Sequence, residues 1–179
     1  MDYGRLWGCS IKGEEMRIII PCLTMIFVFM VGGCSAEITG TVVDAESGKP
    51  IEGAVVLVEW TMNKGVPGMS HTKPYEIEEI TSKSDGTFKI KILLNPLLNL
   101  PRMTIYKKGY VAWNNEYIFP NWSKRKNYKL EDGMIIRLEL FRKEYSRNDH
   151  VNFLNDMVHW GKLINEAYRW EELGKEQKR

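Results

Sequence analysis

Cysteine is scarce in this 179-residue sequence and lies wholly toward one end: Cys9, Cys22 and Cys34 are the three, so nothing from Ser35 onward carries a thiol. No intramolecular disulfide can brace that stretch, and a fold there has to stand on buried apolar side chains. Histidine is as sparse. His71, His150 and His159 offer no pair at H-E-x-x-H spacing, so no metal site is expected. An excess of one charge is missing too: 25 Lys and Arg stand against 23 Asp and Glu, a net charge of +2, which gives no clustered basic surface for a phosphate backbone and excludes nucleic acid as an expected partner. The densest basic run, Lys124-Arg125-Lys126, reads as a solvated loop. Absent as well are the serine elbow G-x-S-x-G and a glycine loop able to cradle phosphate, and Ser84 beside Asp85 has no histidine near it in sequence. These absences argue against an enzyme and against a cofactor.

What is present is ordinary in bulk, with 44% hydrophobic and 27% charged residues, and the length fits one domain with extra segments. Residues 1–33 read as a leader and signal peptide, with Met16 as a second candidate start because Met1 to Glu15 carries charges of both signs. Met16-Arg17 supplies a minimal positive region, and Ile18 to Val31 an apolar run too short for a comfortable span of roughly 20 residues. The run ends in Val31-Gly32-Gly33-Cys34, which resembles the bacterial lipobox. The resemblance implies acylation at Cys34, residues 34–36 as a lipid-attached linker, and a membrane partner through that anchor. Two or three acyl chains at about 0.8 kcal/mol per buried methylene exceed what stable anchoring needs. Ser35 after Cys34 resembles the outer-membrane-sorted class for a Gram-negative host. The alternatives are a secretory peptide with a coincidental cysteine and an N-terminal anchor helix.

The rest of the chain is organised around Thr39 to Val58. Ile38, Gly40 and Val42 alternate with Thr39, Thr41 and Val43, and Ala54, Val56, Val58 and Trp60 alternate with Val55, Leu57 and Glu59, the period of two that a pleated strand imposes. Between these arms Asp44, Gly48 and Pro50 specify a turn, so the arms read as an opening hairpin. The sequence from Asp44 to Val56 fits D-x-x-x-G-K-P-I-x-G-A-x-V; with Ser84-Asp85-Gly86-Thr87-Phe88 and Lys108-Gly109-Tyr110 it resembles the carboxypeptidase regulatory-like domain. That resemblance implies, over residues 37–141, a mainly β fold, a seven-stranded antiparallel Greek-key sandwich of transthyretin-like type, and an accessory role without catalytic residues. The purine-pathway hydrolase of the same fold ends Tyr-Arg-Gly-Ser, whereas this chain ends Glu-Gln-Lys-Arg.

The remaining strands follow from alternation and turn residues. Met62 to Pro74 reads as a long loop, Glu76 to Ser84 as a strand, and Asp85-Gly86 as a type I′ turn with positive φ at both residues. Phe88, Ile90, Ile92 and Leu94 alternate with Lys89 and Lys91, as expected of a half-buried strand with one wet face. Asn95 to Pro101 is a connection expected to fold over an open end of the core, and Met103 to Lys107 another strand. Met134 to Phe141 closes the sandwich with Ile136, Leu138 and Leu140 inward. The expected core includes Val42, Val56, Val58, Phe88, Ile90 and Leu138. Residues 142–179 form an amphipathic helical tail, one helix or two broken near Gly161, with Asn148 or Asp149 as N-cap.

From Tyr110 to Tyr128 aromatics are interleaved with asparagines. Trp113, Tyr117 and Trp122 are the candidate ligand-binding residues, as flat platforms for a sugar or peptide with amides giving directional bonds. The competing reading makes Trp113 and Phe119 caps on the core. The functional expectation is a non-catalytic, lipid-anchored module of the cell envelope, on the outer membrane in a Gram-negative host, contacting a glycan, peptide or envelope protein. The alternative is a structural component docking through a sheet edge or its C-terminal helix; a hydrolase would need a pocket where titratable groups converge.

Overall fold

The computed structural model describes residues 36–66 and 68–176, with side chains as far as residue 169. Cys34 and the rest of the signal segment lie outside the described residues. The described chain is mainly β: β1 (Ala36–Asp44), β2 (Val55–Lys64), β3 (His71–Thr81), β4 (Thr87–Ile92), β5 (Arg102–Tyr106), β6 (Trp113–Asn114), β7 (Tyr117–Ile118), β8 (Ser123–Lys124) and β9 (Met134–Leu138), then helices α1 (Arg147–Met157) and α2 (Leu163–Glu176). One sheet has the order β4-β1-β9, a second β3-β2-β5-β6, and β7 and β8 form a short ribbon.

The expected hairpin of β1 and β2 does not form, because these arms belong to different sheets. The turn chemistry is nonetheless as expected: Asp44 Oδ1 accepts from the backbone of Glu46 (3.0 Å) and Ser47 (2.6 Å), and Gly48 takes φ +69°. That turn carries the chain across from one sheet to the other. An all-antiparallel sandwich also fails at one ladder, since β1 and β9 run parallel with Val42 opposite Ile136. The loop before β9 returns the chain to the first half of β1, where Gly133 N–H donates to Thr39 O (2.8 Å) and Asp132 accepts from Thr39 N–H (2.7 Å); β9 then has to travel the same way.

The core between the sheets holds Val42, Val56, Val58, Phe88, Ile90 and Leu138, each at most 2% exposed, together with Trp60, Met103 and Ile105. Phe88 pairs with Gly40 and lies over it so closely that a Cβ on Gly40 would collide with the ring. Leu94 (74% exposed) and Leu140 (42%) are not inward, because β4 stops at Ile92 and β9 at Leu138. The loop read at Met62 to Pro74 shrinks to residues 65–70, since Met62 to Lys64 pair with His71 to Lys73. Both strands there are largely exposed on both faces, so no alternation marked them. At the Asp85-Gly86 turn only Gly86 has positive φ (+75°), and its N–H closes on Lys83 O at 2.9 Å, so the turn is not type I′.

The tail is two helices, which pack on the outer face of the four-stranded sheet. Val55, Leu57 and Tyr106 meet Phe153, Leu154, Met157, Ile164 and Tyr168 in a second core. Ser146, not Asn148 or Asp149, caps α1, its hydroxyl accepting from Asp149 N–H at 3.2 Å. Three layers result: sheet, sheet, helices.

Candidate functional site

The aromatic stretch is divided between the two cores. Trp113, half-buried on β6, packs against the inter-sheet core with its ring 5.5 Å from that of Tyr128, and the Arg125 guanidinium lies 4.9 Å over its centroid. Tyr117 and Phe119 belong to the helix-side core. Trp122 lies edge-on to Phe153 at 5.1 Å, 36% exposed, with a left-handed φ of 58° that its β-carbon resists. Trp113 therefore sits apart from Tyr117 and Trp122, and the structure does not bring the three into one platform.

The asparagines read as ligand contacts largely serve the chain itself. Asn114 Oδ1 accepts from Glu116 N–H (2.8 Å) and Tyr117 N–H (3.0 Å) while its amide donates to Thr104 Oγ1 (3.0 Å). Asn115 Oδ1 accepts from Met103 N–H (2.9 Å), and its amide donates to Pro101 O (2.9 Å). These bonds fold the aromatic stretch back onto β5.

Around Trp113 an open cleft of about 570 Å³ is lined by Trp113, Arg125, Asn127, Tyr128, Lys129 and the outer residues of β9. Its wall contains an oddity: the Tyr128 hydroxyl is buried without a hydrogen-bond partner, and burial pushes its pKa up to about 12. Burial also lowers that of Arg125. Removing an unpaired buried hydroxyl relieves its desolvation penalty, so Tyr128→Phe is expected to raise stability by about 1 kcal/mol in urea titration. The variant also tests the pH dependence. With its folded pKa above the unfolded value near 10, the wild type retains this proton longer when folded, so stability falls as pH rises from about 10 toward 12, and the Phe variant loses that slope.

A second cleft, about 510 Å³, is lined by Glu59, Thr61, Asn99, Arg102, Glu116 and His159 among others, and here titratable groups do converge. Glu59 is 1% exposed, and desolvation raises its pKa above the ordinary glutamate range. Its Oε1, however, accepts from the backbone N–H of His159 (3.1 Å) and Trp160 (2.9 Å). Arg102 reaches His159 Nδ1 at 2.9 Å and Glu116 at 3.5 Å. One strand away Glu79 accepts from the backbone N–H of Lys162 (2.9 Å), Leu163 (3.0 Å) and Ile164 (3.1 Å), at the N-terminus of α2 where those donors lack helical partners. The two glutamates clasp the link between the helices. Gly161 fits beneath because a Cβ there would come within 2.8 Å of Glu79 Oε1. Sequence reading missed this clasp; its signal was a glutamate at the inward period of β2, in register with Val55 and Leu57.

Among the described residues no group of three or more His, Cys, Asp or Glu could hold a metal ion, and no helix is long and apolar enough to cross a membrane. No family model matches the chain, and no curated protein matches it in sequence. Among solved structures it is similar to a streptococcal ancillary pilin at 16% identity and a TM-score of 0.34, over 61% of this chain and 30% of the pilin chain. The chain thus spans under a third of that pilin's length. The assignment to a mainly β class with several sheets stands on the ladders described above.

Proposed function

We propose that this chain is a non-catalytic accessory module of the cell envelope, anchored by lipid at Cys34, with a sandwich of the carboxypeptidase regulatory-like kind. The observation that carries the reading is the meeting of its three separated motifs. Gly86 O accepts from Val42 N–H at 2.9 Å, and a Cβ on Gly86 would lie 2.5 Å from Val42 O and 3.0 Å from Pro50 Cβ. The Tyr110 hydroxyl lies near enough to the Asp44 carboxylate to help hold its pKa below the ordinary range, after the stronger effect of Ser47. The D-x-x-x-G-K-P turn, the D-G-x-F turn and the G-Y pair thus meet at one structural joint. The use of Glu59 and Glu79 as backbone acceptors supports a non-catalytic role, since both carboxylates are held by the helix link.

The ligand surface is the cleft at Trp113, and a glycan is the ligand class. A half-buried indole, a guanidinium held over it and the Asn127 amide match the apolar faces and hydroxyl edges of a sugar. Retention of the full chain on immobilised peptidoglycan and envelope polysaccharide tests this, against Trp113→Leu, which keeps apolar bulk but removes the ring. Retention is expected to fall by about two- to tenfold with the variant still folded, as loss of one stacking contact predicts. Unchanged retention in a folded variant, or binding confined to peptides, overturns the glycan reading. Intact mass and membrane fractionation of wild type against Cys34→Ala test the anchor separately.

A further inference from the structure

We infer that the end of the sandwich where β1 begins lies against the bilayer, with two apolar connections forming the docking face. The inference rests on the lipid anchor proposed above and adds an orientation to it.

The five most exposed large apolar side chains among the described residues are Leu100 (88%), Met69 (79%), Leu94 (74%), Leu97 (72%) and Val66 (63%). All five lie on just two connections, residues 65–70 between β2 and β3 and residues 93–101 between β4 and β5. Contiguous exposed apolar surface marks an interaction site, whereas single exposed side chains are ordinary. The second connection is tied to the end of β2 that leads into the first. Leu98 bridges to Met62, Asn99 N–H donates to Thr61 O at 2.9 Å, the Asn99 amide reaches Thr61 Oγ1 at 3.0 Å, and Asn63 accepts from Thr72 at 2.9 Å. Leu93 and Leu98 turn inward onto the core, which leaves their neighbours pointing out.

The occupant follows from where the chain enters. Ala36, the first residue of β1, pairs with Ile92, the last of β4, and the leucine-rich connection starts at the next residue. Only Ser35 separates Ala36 from Cys34, so a lipidated thiol is tethered within about 7 Å of backbone reach from that pair. Acyl chains entering a bilayer at that point bring the exposed leucines to its surface. Exposed Lys64, opposite His71 at the strand ends beside the 65–70 tip, and exposed Lys73, opposite Met62, suit the phosphate headgroups there. The three-motif joint faces the opposite end, away from lipid.

The test uses the acylated chain in vesicles of phosphatidylethanolamine and phosphatidylglycerol, with an environment-sensitive fluorophore on Leu97→Cys, Met69→Cys or, as control, Ile135→Cys. The first two probes are expected to be quenched by nitroxide lipids at least about threefold more than the third, as shallow insertion predicts. Intact mass reads the anchor independently. An acylated chain whose probes at 97 and 69 stay in water overturns the docking face and leaves the anchor standing. Probes that shift to the blue without lipid quenching overturn it in favour of contact between copies of this chain. A chain without acyl groups that still sediments with vesicles and shows quenching retains the docking face and removes the anchor; one that fails to sediment removes both.

Discussion

Replacing Phe88 by alanine is expected to lower the unfolding free energy by about 3–5 kcal/mol, the range for losing a fully buried aromatic and leaving a cavity. Phe88 is 2% exposed and fills the space that Gly40 leaves open on the neighbouring strand. The site collapses poorly, because the floor of the cavity is the backbone of the central strand. Urea titration of the full chain measures the loss, and a change below about 1 kcal/mol would place the ring outside the core. Gly40→Ala reads the same contact from the other side and is expected to destabilise through overpacking, by about 1–3 kcal/mol.

Glu59→Ala is expected to cost about 3 kcal/mol, because it strands the backbone donors of His159 and Trp160 beside a buried sheet face. Glu59→Gln keeps an acceptor oxygen and is expected to stay within about 1 kcal/mol of wild type. The pair separates a role in hydrogen bonding from one in charge. Its pH dependence has a definite sign. Desolvation raises the folded pKa of Glu59, so the folded state holds the proton longer than the unfolded one; stability from this residue declines as pH rises from the ordinary glutamate range through the folded value. The Gln variant should lose that decline. If the alanine variant unfolds with unchanged midpoint and the helices stay docked, the clasp is not what fixes them.

The two cases show what the sequence disclosed and what it withheld. The core at Phe88, Ile90, Val56 and Val58 was legible because alternation in a strand is a local property, set by residues two apart. The partners of those strands were not. Nothing within β1 states that its neighbours are β4 and β9, or that β9 runs parallel, since that direction is decided by the contacts of Asp132 and Gly133 about 90 residues away. The aromatic stretch was visible as an anomaly of composition, but its division between two cores depends on helices whose apolar face, Leu154, Met157, Val158, Ile164, Ala167 and Tyr168, was legible from periodicity while the sheet face that it covers was not. The clasp by Glu59 and Glu79 had one local sign, the place of Glu59 on the face of Val55 and Leu57; its partners are distant backbone amides, which carry no sequence signature.

The place of β1 at the centre of its sheet has a consequence for how the chain reaches this state. Its two ladders pair Gly40 with Phe88 on one side and Val42 with Ile136 on the other, so the earliest strand gains its last neighbour only when almost the whole domain is present. Such distant pairings have to overcome loop-closure entropy before they contribute, and chains dominated by them fold in roughly milliseconds to seconds, not microseconds. Until β9 arrives, one side of β1 stays an open template, and during that interval the nascent chain is most exposed to pairing with the wrong strand.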